Sequence, residues 1–374
     1  MATPTLCSMD PQLARAYEDQ LGLKPVFLQR WLSTDGDRPL FRVAAIDRAT
    51  CTLWGLDGQR KPYELRAQPG DTPLAVGDWV LVAETEDSPR VVQLLERATW
   101  LRRGAAHQEG REQLIAANLD VVFIVAAFSE TEKLTRRALR ARRFDRFIAA
   151  VVEGGAQPVV VLNKVDLAAH DADALAELSR SFSERLGGVP VVLTSMSTPD
   201  GARGLDAYLA PGETLAFVGA SGVGKSSLVN RLLGEVHQEV QGVRNVDAKG
   251  RHTTTRRELV RLPGGAFLID TPGVREFAVL ADDHVAGFAD IDDLARNCAF
   301  SDCSHLTEPG CAVRAAVSRG ELLQERVDSH RDLERDAARQ REKSAAAGRR
   351  EANAEGRRFG RMVRTLRASH KPPR

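Results

Sequence analysis

Between about residues 112 and 280, near-continuous apolar runs alternate with amphipathic stretches: LDVVFIVAA, PVVVLNKVDL, VPVVLTS, ETLAFVGASGVGKSSLVNRLL and GAFLIDTPG. Runs this apolar, separated by helix-length segments, predict strands of a mostly parallel sheet covered on both faces. Residues 38–104 follow another rhythm. Short alternating segments such as FRVAAID, TCTLWGL and DWVLVAE are broken by Gly, Asp and Pro, which predicts a small β-barrel. Barrels of the OB type are built this way, although the pattern alone fits any small barrel. Residues 1–37 show little periodicity and read as an extension, whereas Arg, Glu, Ala and Gln dominate from about residue 317 onward and predict helix with a loose tail.

A chain of 374 residues is too long for one core and implies two or three domains. Its 43% hydrophobic and 28% charged residues are those of an ordinary soluble protein. No apolar run approaches the roughly 20 residues of a membrane-spanning helix. MATPTLCSMDPQ lacks the layout of a signal peptide, so a cytoplasmic protein without a membrane partner is expected. The net charge of +1 conceals two basic groups, one from Arg349 to Arg374 and one from Arg136 to Arg146. Each is either a solvated helix face or a nucleic-acid contact.

Gly219 to Ser226 spells G-x-x-x-x-G-K-S between the strand-like LAFV and the helix-like SSLVNRLL, the context a phosphate loop requires. Its contacting residues are Gly219, Ser221, Gly222, Val223, Gly224, Lys225, Ser226 and Ser227. Backbone N–H groups would cradle the phosphates, Lys225 would reach the β- and γ-phosphates, and the Ser226 hydroxyl would ligate Mg²⁺. Asp270-Thr271-Pro272-Gly273 is an ordinary turn by itself, but it ends an apolar strand downstream of the loop. There Asp270 can reach the Mg²⁺ through water and Gly273 can offer an N–H to the γ-phosphate.

Asn163-Lys164-Val165-Asp166 closes the strand PVVVL. The Asp166 carboxylate can accept from the guanine N1–H and 2-amino groups, which adenine lacks. As a strand end it could instead cap the following helix. Thr194 and Ser195 would add contacts to the base. This tetrapeptide precedes the phosphate loop, whereas an ordinary small GTPase has it afterwards, so the domain reads as circularly permuted. Permutation is tolerated because a domain's termini often lie close together.

In the polar stretch Lys249 to Thr255, Thr254 is the candidate to complete the Mg²⁺ shell. Val274 follows Gly273 where Ras-type enzymes carry a water-positioning Gln. His252 is therefore the candidate catalytic residue, although a lone loop His is commonly a surface residue. Cys298, Cys303, His305 and Cys311 form C-x4-C-x-H-x5-C, three thiolates and an imidazole suited to one closed structural zinc site. Buried free cysteines beside a surface His are the alternative.

On the permuted order of NKVD, GASGVGKSS, GRHTTT and DTPG together with the cysteine cluster, the chain resembles the RsgA (YjeQ) family of circularly permuted, small-subunit-dependent GTPases over about residues 38–335. The resemblance implies a multidomain α/β protein with an all-β barrel. The expected division is an N-terminal extension (1–37), an OB-type barrel (38–104), a permuted GTPase domain (105–282), a mostly helical zinc-binding domain (283–335) and a basic helical or disordered tail (336–374). It also implies GTP as substrate and GDP as product, His252 as the catalytic residue, binding of the 30S subunit and its 16S rRNA, stimulation of hydrolysis on that subunit, and action as a monomer. The rival readings are a permuted GTPase of the large subunit and a zinc-dependent RNA-binding protein that only senses GTP.

Overall fold

A computed structural model describes residues 10–34, 38–47, 49–70, 72–85, 88–104, 112–129, 131, 139, 141–168, 171–234, 257–270, 285–339 and 342. The chain opens with two helices, α1 (Pro11–Leu21) and α2 (Pro25–Leu32), each with Pro at its start. Asp10 accepts from the Gln12 N–H at 2.9 Å, and Gly22, at φ +70°, ends α1. Residues 10–34, within the expected extension 1–37, are thus folded rather than featureless. Tyr17, Leu21, Phe27 and Trp31 are buried against Leu40, Trp79 and Leu81.

The strands β1 (Leu40–Ile46), β2 (Cys51–Leu56), β3 (Pro62–Ala67), β4 (Trp79–Ala83) and β5 (Arg90–Leu94) pair antiparallel in the order β3-β2-β1-β4-β5. A bridge links Gln68, just after β3, to Arg90 at the start of β5. β6 (Trp100–Gly104), expected in this region, pairs instead with β7 (Glu112–Ala117) in a separate ribbon.

The larger α/β part contains β8 (Val121–Ala127), α3 (Ala141–Glu153), β9 (Gln157–Asn163), α4 (Ala172–Arg185), β10 (Val191–Thr194), β11 (Thr214–Gly219), α5 (Lys225–Leu233), β12 (Glu258–Arg261) and β13 (Phe267–Asp270). Their spatial order is β10-β9-β8-β11-β13-β12, parallel except for β12. Alternate residues along each central strand serve two cores. Val122, Ile124, Val160 and Leu162 pack with Phe144, Ile148 and Phe182 of α3 and α4. Val121, Phe123, Val159 and Val161 pack with Leu205 and with Leu228 and Leu233 of α5. Covering on both faces explains the near-continuous apolar runs.

The chain enters this sheet at β8, runs outward to β10, returns to β11 beside β8, and proceeds to the opposite side. β8 and β11 are therefore adjacent parallel strands whose connections leave in opposite directions, a topological switch point where α/β sheets bind ligands at the carboxyl ends of their strands.

Two buried arginines mark the junctions of the sheet with its neighbours. Arg42 of β1, 1% exposed, donates to the Leu21 carbonyl at 2.7 Å and the Thr214 hydroxyl at 2.6 Å, and lies over the rings of Trp79 and Phe267. Burial pushes its guanidinium pKa down to about 10 despite the charge of Asp120. Beside it β12 bridges to β1 through Ala45 and Glu258.

The carboxyl-terminal region contains α6 (Ala289–Ala295), α7 (Ala312–Ser318) and a helix over 324–339, α8, which runs through the boundary expected at residue 335. Arg326 of α8 clasps Asp290 at 2.5 and 2.8 Å and lies 3.6 Å from Asp145 of α3.

Candidate functional site

The phosphate loop follows β11 at the switch point, and three of its glycines hold backbone that favours glycine. Gly219, Gly222 and Gly224 have φ of +142°, +82° and +94°. A Cβ at Gly219 would meet the Val125 carbonyl at 2.3 Å, and one at Gly224 would meet Asn163 Nδ2 at 2.2 Å. α5 begins directly after Gly224, so its first N–H groups and the positive end of its dipole face the loop. Lys225 Nζ donates to the Gly219 and Ala220 carbonyls at 2.8 and 2.7 Å, which holds its ammonium across the mouth of the loop. Ser226 and Ser227 are exposed in the first turn, and Ser221 and Gly222 are exposed on the loop.

The tetrapeptide after β9 is latched onto this loop. Asn163 Nδ2 donates to the Val223 carbonyl at 2.9 Å, and Lys164 Nζ donates to the Gly222 carbonyl at 2.9 Å. Lys164 takes a left-handed backbone, φ +61°, at the sharp turn into a short 3-10 segment, Val165–Leu167. Thr194 at the end of β10 donates to Asn163 Oδ1 at 3.0 Å, and the Ser195 hydroxyl donates to the Asp166 carboxylate. Residues more than 50 positions apart thus form one hydrogen-bonded rim across the carboxyl ends of β9, β10 and β11.

Asp270 ends β13, next to β11 in the sheet. Desolvation first, and then the negative charge of Glu258 across the strand pair, raise its pKa above the ordinary range. A serine hydroxyl and a carboxylate flanking a phosphate loop are the hard-oxygen donors that Mg²⁺ takes, so the residues present fit that ion. His252, Thr254, Gly273 and Val274 lie outside the described residues.

The ligand atoms of Cys298, Cys303, His305 and Cys311 all lie within 4.8 Å of one another. Cys298 Sγ is 3.9 Å from Cys311 Sγ, while His305 Nδ1 is 3.7 Å from Cys298 Sγ and 3.4 Å from Cys311 Sγ. Tetrahedral zinc, with Zn–S about 2.3 Å and Zn–N about 2.0 Å, separates its ligands by about 3.5–3.8 Å. These spacings therefore fit zinc and are far too long for a disulfide of about 2.05 Å.

Sequence reasoning missed the residue that shapes this loop, Glu308. It accepts from the backbone N–H groups of Ser304, Leu306 and Thr307 at 3.1, 3.0 and 3.0 Å, and from the Ser304 hydroxyl. These bonds, that of Ser304 foremost, hold its carboxyl down to about 2. They fold the turn in which His305, φ +59°, faces the three sulfurs. A glutamate three residues from two ligands was the only available signal.

The family model for the RsgA GTPase matches residues 94–280. The small ribosomal subunit biogenesis GTPase RsgA of Xanthomonas axonopodis pv. citri is 43% identical over 272 residues, 72% of this chain and 71% of the relative. The protein of the same name from Methanosarcina acetivorans is 46% identical over 262 residues, 69% and 68% of the two chains. Among solved structures, YjeQ from Thermotoga maritima aligns with a TM-score of 0.58 at 25% identity, covering 80% of this chain and 99% of its own. YloQ, a circularly permuted GTPase, aligns with a TM-score of 0.58 at 24% identity over 82% of this chain and 96% of its own, a likeness of fold.

Proposed function

The chain belongs to the RsgA GTPase family, and we propose that it hydrolyses GTP as an assembly factor in late maturation of the 30S ribosomal subunit. The observation that carries the reading is the latch of Asn163 and Lys164 on the phosphate loop at the switch point. It brings a guanine-reading segment and a phosphate cradle to one nucleotide. Asp166, held by Ser195, accepts from the N1–H and 2-amino groups of guanine, and Thr194 fixes Asn163 in place. On nucleotide binding Lys225 exchanges its two carbonyl partners for the β- and γ-phosphates, while the N–H groups of residues 221–227 close around the phosphate oxygens.

Ser226 and Thr254, with Asp270 acting through water, would hold Mg²⁺, which when bound would supply positive charge to stabilise the transferred phosphoryl group. His252 orients the attacking water in place of the glutamine that Val274 replaces. Gly273 donates its N–H to the γ-phosphate, so the segment Gly250–Thr255 is ordered by GTP and released by GDP.

The first five strands form an OB-type barrel that, with a zinc-stabilised carboxyl-terminal module, contacts 16S rRNA. Zinc at the cysteine cluster would be structural, since its four protein ligands leave no place for water. The chain acts as a monomer in the cytoplasm, and hydrolysis favours its release from the subunit. Among the described residues no helix is long and apolar enough to cross a membrane.

Single-turnover GTP hydrolysis with and without purified 30S subunits tests the reading. The expected result is strong stimulation by the subunit, loss of that stimulation in His252→Ala with GTP binding retained, and competition by GDP but not ATP. Equal affinity for ATP and GTP, or a rate indifferent to the subunit, would overturn it.

A further inference from the structure

We propose that Ser197 is a positioning residue for guanine: its hydroxyl commits the Ser195 proton to the Asp166 carboxylate and so fixes the acceptor that reads the base. The inference rests on the nucleotide-site reading above. Asp166 stands exposed in the short segment after β9, where a carboxylate turns about its own bonds unless something holds it. Among the described residues its hydrogen-bond partner is the Ser195 hydroxyl. What holds that hydroxyl therefore decides where the carboxylate points.

Ser195 follows β10 and is 7% exposed. Its hydroxyl oxygen lies 2.6 Å from that of Ser197 and accepts from the Ser197 N–H at 3.2 Å. A serine hydroxyl has one proton to give and two lone pairs to accept with, whereas an ionised carboxylate only accepts. The Ser195 proton therefore goes to Asp166, and in the contact between the two serines the donor is Ser197. Ser195 thus has all three of its hydrogen-bonding positions filled, two of them by Ser197. Donation from Ser197 also polarises the Ser195 O–H and strengthens its bond to the carboxylate.

The loop that carries Ser197 is itself tied down. The Ser195 N–H donates to the Gly201 carbonyl at 2.8 Å, and the Thr198 carbonyl accepts from the Gly201 N–H at 3.2 Å and from Arg231 at 3.0 Å. Arg231 belongs to α5, the helix that begins at the phosphate loop. The consequence for binding is selective. Guanine offers Asp166 two donors in one plane, N1–H and the 2-amino group, whereas hypoxanthine offers N1–H alone. Two parallel bonds need a carboxylate fixed in the plane of the base, while a single bond tolerates rotation. Loosening Asp166 therefore costs guanine more than hypoxanthine.

The test uses the full chain with Mg²⁺ and measures the affinities of GDP and IDP by competition against a fluorescent GDP analogue, in the wild type, Ser197→Ala and Ser197→Thr. Ser197 is exposed, so neither substitution disturbs the core. Ser197→Ala removes the hydroxyl and keeps the N–H. It should weaken GDP roughly five-fold, the effect of one neutral hydrogen bond, and leave IDP nearly unchanged, so that the preference for GDP over IDP falls by the same factor. Ser197→Thr retains the hydroxyl and should keep the wild-type preference. An unchanged preference in Ser197→Ala, whether both nucleotides hold or weaken together, would overturn the proposal, because a residue that only shapes the turn affects both alike. So would Ser197→Thr behaving as Ser197→Ala does. A wild type with no preference for GDP over IDP would overturn the guanine-reading role of Asp166 as well.

Discussion

The nucleotide sheet meets its two neighbours in opposite ways. Toward the first β module the contact continues the backbone ladder from β12 to β1, and its buried cation, Arg42, rests on two aromatic rings, a carbonyl and a hydroxyl. Toward the cysteine module the contact is made by side chains: Arg326 joins Asp290 and Asp145, and Arg146 reaches Asp336 at 2.5 Å. The first junction is built around a continued strand pair and a buried cation with uncharged hydrogen-bond partners, with Lys24 pairing with Asp120 and Glu213 at its margin, and the second around arginine–carboxylate pairs. A module held by carboxylates responds to pH and to its metal, whereas one held by a shared sheet responds to what happens in that sheet.

The largest difference should follow metal removal. Chelation, or Cys311→Ser, should unfold residues 285–339 while the junction at Arg42 persists, because metal binding and local folding are linked. Calorimetry should then show a separate early transition, and metal analysis of untreated protein should return one zinc per chain. A single unchanged transition in metal-free protein would mean that the cysteine module does not need its ion.

Next in size is Arg326→Ala, which removes the cation 3.6 Å from Asp145, a carboxylate only 3% exposed. Breaking such a buried pair costs about 3–5 kcal/mol. Burial already raises the Asp145 carboxyl above its ordinary range, with Ser329 and then Arg326 opposing the rise. Without Arg326 it rises further. A carboxyl raised in the fold takes up protons that the unfolded chain, near 3.9, releases. The variant should therefore lose stability as pH rises through that raised value, and most of its deficit should vanish below about pH 4. Urea titrations at several pH values measure the deficit, and one that is constant with pH would disprove the charge origin.

Arg42→Met should cost less, about 1–3 kcal/mol, from the unmet Leu21 carbonyl and Thr214 hydroxyl. Its effect should change less with pH than that of Arg326→Ala; equal pH responses would erase the distinction drawn here. Smallest of all should be Arg146→Ala, an exposed pair worth no more than about 1 kcal/mol, measurable as a slight shift in the same titrations.

These junctions were the least legible part of the sequence. The phosphate loop, the NKVD turn and the cysteine cluster stand out because their chemistry demands particular residues at fixed spacing, and the first two fall at the strand ends where the apolar pattern puts them. Arg42 gave no such signal. In FRVAAID it reads as the outward polar position of a half-buried strand, but both faces of β1 are covered, Phe41 and Val43 by one core and Leu40 and Ala44 by others. The amino-terminal helices were missed even though Asp10-Pro11 and the spacing of Leu13, Tyr17 and Leu21 are helix signals. Arg326 and Asp145 are linked only by tertiary packing, and no local pattern brings together residues so far apart in sequence.

The place of β11 between β8 and β13 also has a consequence for synthesis. β8 and β9 leave the ribosome first, but the strand that covers the inner edge of β8 follows roughly ninety residues later, a delay of about 5–20 s at ordinary elongation rates. During that interval the nascent chain presents a long apolar strand with one unpaired edge, the feature that invites wrong partners. Until Thr214–Gly219 arrives, this half-built sheet is the stage of the chain's life most exposed to aggregation, and it ends with the strand that leads into the phosphate loop.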